Sequence, residues 1–247
     1  MTGTGLCEEP SRSATLAALE ARAKSGITVF DLDWRPVFWG GEGAAAPVAA
    51  ARPYYAAALA HATVAVGNAD ECEVATGERE PHAAARALLA AGAELAVVKQ
   101  GPKGVLAVHR DGAVAEVPPV AVEVLNGLGA GDGFGGALCH GLLAGWELER
   151  TVRFANAAGA IVASRLACSS AMPTYDEVAA VLGGRRRDRT HPGPGDGAGP
   201  ASRGHRGGRG PAGPAPPHRR QRPPDDHCGG PHGAGRAGRG RAPAGDG

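Results

Sequence analysis

Beyond residue 184 the chain contains no Val, Ile, Leu, Met, Phe, Tyr or Trp. A segment without these side chains cannot bury enough apolar surface to offset the entropy of ordering it. Residues 185–247 are therefore predicted to be disordered, and residues 1–184 to form the folded part. Arginine crowds this tail while acids outnumber bases before it, so the formal net charge of +1 hides a split. The basic tail could bind nucleic acid electrostatically, but it lacks the aromatics that stack on bases. Its Arg/Gly/Pro/Ala usage also reads as an out-of-frame translation of GC-rich coding DNA, so nucleic acid is not the expected partner.

Other absences exclude other classes. The 5 cysteines are scattered, odd in number and never spaced C-x-x-C. That excludes a disulfide frame or a zinc site and fits reduced thiols in the cytoplasm. No apolar run is long enough to span a membrane, and the first residues lack a signal-peptide pattern. A cytoplasmic protein with no membrane partner is expected. There is no G-x-x-x-x-G-K-[ST], which excludes a P-loop nucleotide site.

What is present centres on Asn126-Gly127-Leu128-Gly129-Ala130-Gly131-Asp132-Gly133. A β-branched run at 120–125 leads in and an apolar run at 137–146 leads out, which predicts strand, glycine turn and helix. Gly129, Ala130 and Gly131 let backbone N–H groups approach a ligand closely. At a helix N-terminus such donors make an anion site. Asp132 is a carboxylate placed inside that anion site. The economical role for it is to take a proton from an attacking hydroxyl while the turn holds the charge of a transferring phosphoryl group. A dinucleotide fingerprint, Gly131-x-Gly133-x-x-Gly136, overlaps the same stretch. It requires a strand ending in an acid about 20 residues on, whereas residues 151–156 read as mid-helix.

This turn resembles the C-terminal signature of the PfkB, or ribokinase-like, sugar kinases. The family opens the motif with Asp or Asn followed by Thr; here Gly127 follows Asn126. The resemblance implies that Asp132 is the catalytic base and that Gly129, Ala130 and Gly131 form the anion hole. Further motifs follow the family order. Asn68-x-x-Glu71 resembles its N-x-x-E element, which implies an Mg²⁺ ion held through water; from the residues alone, Asn68 reads equally as a helix N-cap. Asp31-x-Asp33-x-Arg35 with Trp39 resembles an element of the family's acid-sugar kinases, with Asp33 and Arg35 facing an anionic substrate; a surface salt bridge is the plain alternative. Trp34, Phe38 and Trp39 are expected to pack.

Residues 99–104 resemble the family turn beside the nucleotide phosphates, which implies ATP contacts from Lys99, Gly101, Lys103 and Gly104. Lys103 reads equally as an exposed loop lysine. Asn156 matches a position near adenine and reads equally as a helix-packing amide. Residues 167–174 resemble a loop that closes the adenine site and, in some members, a monovalent-cation (K⁺) site. The implied partners are ATP, Mg²⁺ and a small sugar or sugar acid, with a homodimer in the intact family member.

The expected fold is α/β: the ribokinase-like three-layer α/β/α arrangement around a mostly parallel sheet, C-terminal portion only. The family's N-terminal part, with its Gly-Gly sugar motif and β-stranded lid, has no counterpart in this sequence. Local signals give helices at 11–24 (capped by Ser11 or Ser13, with Gly26 after its end), 52–61, 81–91 and 147–166. They give strands at 27–30, 63–66 and 95–99, and a hairpin of 105–109 with 113–117. Asp111-Gly112 predicts a type I′ turn between the hairpin strands. Thr174-x-x-Glu177 predicts a capping box opening a helix to 182.

Overall fold

The computed structural model describes residues 1–40 and 48–183. The tail expected to be disordered lies outside the described residues. Strands β1 (Val29–Asp31), β2 (Val64–Asn68), β3 (Leu95–Lys99), β4 (Val105–His109) and β5 (Val114–Val117) form one sheet in chain order. β1, β2 and β3 pair parallel, and β4 and β5 each pair antiparallel with the strand before. Only β4 therefore opposes the others, which is the mixed, largely co-directional sheet that a single hairpin gives.

Both faces of the sheet are covered, and strand alternation decides which residue goes where. Ala65, Ala96, Val98 and Leu106 point to one face, where they meet Leu19, Tyr55, Leu59 and Leu88. These come from α1 (Ser11–Arg22), α2 (Val48–His61) and α4 (Pro81–Ala91); α3 (Ala69–Thr76) adds Cys72. Val64, Val66, Leu95 and Val97 point to the opposite face and meet Phe134, Leu138, Val152 and Ala155. Those belong to α5 (Ala130–Leu143) and α6 (Leu148–Ala163), and α7 (Tyr175–Val181) follows. The result is three layers. Removing a core side chain such as Leu59 or Leu138 costs about 2–5 kcal/mol.

Close packing of α5 on α6 sets the position of the glycine turn. A Cβ on Gly133 would come within 2.8 Å of Val162, and one on Gly159 within 3.0 Å of the Ala130 carbonyl oxygen. Small residues thus let these helices approach closely at the first turn of α5.

Four local expectations are corrected. Residues 120–125 form no strand, and Val124 and Leu125 are exposed. Pro118 and Pro119 supply no donors there, and the N–H groups of Leu125 and Asn126 both go to the Ala163 carbonyl. In α1, Pro10 occupies the cap position, Ser11 is the first helical residue, and left-handed Ala23 ends the helix in place of Gly26. The hairpin loop is one residue longer than a type I′ turn: the N–H of His109 meets the Ala113 oxygen, and only Gly112 has positive φ. Asp111 directs its carboxylate to the Ala113 N–H at 2.9 Å instead. Trp34 and Trp39 stack 5.6 Å apart beside Tyr55, but Phe38 is 54% exposed.

Candidate active site

The C-terminal ends of β1, β2 and β3 lie side by side, where ligands bind in parallel α/β sheets. The register sets Asp31 beside Val66, and Asn68 beside Lys99. The first turn of α5 faces this row, and between them lies a polar pocket of about 390 Å³. Asp31, Asp33, Arg35, Asn68, Glu71, Lys99, Gly129, Gly131 and Asp132 line it. Residues spread over a hundred positions of sequence thus converge.

The two helix starts at the pocket differ in chemistry. Asn68 caps α3: its Oδ1 accepts from the Glu71 N–H at 2.9 Å, and Glu71 Oε2 accepts from the Asn68 N–H at 2.6 Å. This is a reciprocal capping box. α5 opens on Gly129 at φ +83 with no side-chain cap, and a Cβ there would collide with the Cys168 sulfur. Ala130 donates to the Gly127 carbonyl at 3.3 Å, while the N–H groups of Gly129, Gly131 and Asp132 are free among the described residues. Asp132 is exposed at the pocket wall. Asn126 shapes the approach: its Oδ1 accepts from Leu128 N–H at 3.0 Å and its amide donates to the Leu166 carbonyl at 2.9 Å.

Lys99 is four-fifths buried, with Nζ 3.9 Å from Glu71 Oε2 and 4.0 Å from Asp31 Oδ1. Burial pushes both carboxyls above the usual carboxylate range, and the lysine charge partly offsets it. Asp33 has φ +33 and holds two partners. Its Oδ1 accepts from Arg35 Nε at 2.9 Å and its Oδ2 from the Thr4 hydroxyl at 2.6 Å. Arg35 is thereby fixed at the pocket edge while staying about half exposed. Thr4 carried no signal in the sequence, because its partner lies 29 residues away.

An apolar groove of about 600 Å³ joins the pocket, and Asn68, Lys99 and Gly131 line both. Gly101, Gly104, Ala130 and Asn156 line the groove; Lys103 lines neither and is exposed. Asn156 donates its amide to the Pro118 carbonyl at 2.9 Å, which orders the segment over the groove. A larger cavity, about 700 Å³, lies against Trp146 and Tyr175, and no residue singled out from the sequence lines it. Size does not mark the site; convergent polar groups do.

No group of three His, Cys, Asp or Glu side chains among the described residues is set to hold a metal ion directly. The donors present are hard oxygens, and Asn68 and Glu71 are committed to the capping box through one oxygen each. They fit Mg²⁺ only as an ion that keeps most of its water and takes its other ligands from phosphate, which is its usual habit.

Comparison with known proteins agrees with this geometry. The model of the pfkB family carbohydrate kinases matches residues 1–175, and the chain belongs to that family. It is 34% identical over 194 residues to the 5-dehydro-2-deoxygluconokinase of Photobacterium profundum, covering 76% of this chain and 57% of that protein. It is 32% identical over 185 residues to the protein of that name from Listeria monocytogenes serotype 4b, covering 74% and 55%. The chain thus spans little more than half the length of these relatives. Among solved structures, aminoimidazole riboside kinase from Salmonella enterica, bound to its riboside and an ATP analog, superposes with TM-score 0.64 at 26% identity. That match covers 74% of this chain and 61% of the other. Ribokinase from Thermotoga maritima gives TM-score 0.53 at 29% identity, covering 67% and 52%.

Proposed function

We propose that this site transfers the γ-phosphoryl group of ATP to a hydroxyl of a sugar acid, the best-supported acceptor being C6 of 5-dehydro-2-deoxygluconate, a step of myo-inositol catabolism. The observation that carries the reading is the uncapped start of α5, with Asp132 beside its free amides, at the junction of a polar pocket and an apolar groove. The groove takes the nucleotide, with Asn156 and Gly159 near the base and Gly101 and Gly104 near the phosphates. Lys99 and the amides of Gly129 and Gly131 meet the phosphoryl group as its charge is redistributed. Asp132 takes the proton of the attacking hydroxyl, a new oxygen–phosphorus bond forms, and ADP leaves with the electron pair of the broken bond. Mg²⁺, when bound near Asn68 and Glu71, neutralises phosphate charge. Arg35, fixed by Asp33, offers a bidentate partner for the substrate carboxylate.

The choice of acceptor rests on the names of the relatives and on Arg35; 2-keto-3-deoxygluconate and fructose are the rivals. Coupled ADP release by the full chain, with each of the three sugars, tests the reading. Faster release with 5-dehydro-2-deoxygluconate, lost in Asp132→Asn, supports it. Sugar-independent MgATP binding with no ADP release would leave a nucleotide-binding chain and overturn the transferase reading. Dependence of that release on K⁺ over Na⁺ would extend the proposal to the loop at residues 167–174.

A further inference from the structure

We propose that Asp31 is a positioning residue for Lys99, holding its ammonium at the lip of the glycine turn so that it meets the phosphate chain of a nucleotide. This rests on the nucleotide reading above and adds to it a residue with no assigned role. Asp31 ends β1, its side chain is about one-quarter exposed, and its Oδ1 is buried without a hydrogen-bond partner among the described residues. A buried, unpaired carboxylate oxygen is costly and needs an explanation. The nearest opposite charge is Lys99 Nζ at 4.0 Å.

That ammonium lies near two carboxylates without bonding either, because Glu71 Oε2 is 3.9 Å away. Both separations exceed hydrogen-bond length. Lys99 is therefore confined by charge and not locked by geometry. The place a Cβ on Gly131 would occupy is 3.7 Å from Nζ, so the confined ammonium sits at the rim of the free amides. A lysine here without Asp31 would retain one carboxylate, Glu71, and its long side chain would regain the rotamers that lead to solvent. The register makes the arrangement specific: β2 and β3 end together at Asn68 and Lys99, and β1 ends on Asp31 opposite Val66, two residues short of Asn68.

Because Asp31 acts through Lys99, the two substitutions should not add. The test is calorimetric binding of MgATP and of adenosine to the full chain, to Asp31→Asn, to Lys99→Met and to the double variant. The expected result is a loss of about tenfold in MgATP affinity for Lys99→Met and a smaller loss for Asp31→Asn. The double variant should be no weaker than Lys99→Met, and adenosine affinity should be unchanged throughout. Asp31→Ser repeats the test if Asp31→Asn does not melt cooperatively, since the smaller side chain cannot clash at the end of β1. Losses that multiply in the double variant, or an equal loss for adenosine, would overturn the positioning role while leaving the nucleotide site in place. Wild-type chain that binds neither ligand would overturn the nucleotide reading, and this proposal with it.

Discussion

α3 and α5 both begin at the polar pocket, yet one closes its N-terminus and the other leaves it open. Asn68 and Glu71 satisfy each other's backbone donors, so the start of α3 is complete without a ligand. α5 starts on an uncapped glycine in a left-handed conformation, with N–H groups free among the described residues beside Lys99. α4, away from the pocket, is closed like α3, with Glu80 accepting from the His82 and Ala83 N–H groups. A capped end has its donors committed to its own chain. An uncapped end beside a buried cation is suited to an anion, and the proposed chemistry rests on that difference.

Breaking the open end should cost most. Asp132→Asn should lower sugar-dependent ADP release by about 10²–10⁴-fold, the range for a lost general base, while leaving MgATP affinity within about twofold. Equal loss of affinity would make Asp132 a binding group instead. Next in size is Gly129→Ala, which forces a side chain into positive φ and against Cys168. It should destabilise the fold by about 1–3 kcal/mol and weaken MgATP binding, as read by melts with and without nucleotide. Glu80→Gln sharpens the contrast from the closed end, lowering the melting temperature slightly with no change in nucleotide affinity.

The smallest effects are opposite pH dependences. Two backbone N–H groups hold the Glu80 carboxyl below its ordinary value of 4.5. Its stabilisation is therefore present above that value and is lost as pH falls through the lower folded value. Burial holds Asp31 above its ordinary 3.8. Its ionisation is unfavourable in the folded state, so it weighs against stability above the folded value, and that burden disappears as pH falls through the window towards 3.8. Melts from pH 7 downward should show the Glu80→Gln deficit shrinking with acid. The excess stability of Asp31→Asn over wild type should shrink as well. Matching slopes of the wrong sign would mean the two carboxylates sit in environments other than those described.

Local signals were legible in the sequence where partners are near in the chain. Asn68 lies three residues before Glu71, so its N-cap could be read locally although the reciprocal bond from Glu71 was not, and Thr174 with Glu177 and the glycine turn ahead of Asp132 could be read directly. The strands at 95–99 and 105–109 were also legible, since continuous apolar runs bounded by glycine mark a covered sheet. Residues 120–125 show the converse. Their composition favours a strand, but a strand needs a neighbour, and among the described residues the backbone of this segment bonds to the end of α6. The role of Asp31 was hidden for the same reason: its pairing with Lys99 depends on the register of three strands, which no local pattern encodes.

Amide hydrogen exchange of the full chain, with and without MgATP, reads out whether the open start of α5 receives the anion. Nucleotide should slow exchange at Gly129, Gly131 and Asp132, whose amides are free among the described residues, and barely alter Asn68 and Glu71, whose amides are already bonded. Protection confined to α3, or none at the start of α5, would contradict that reading.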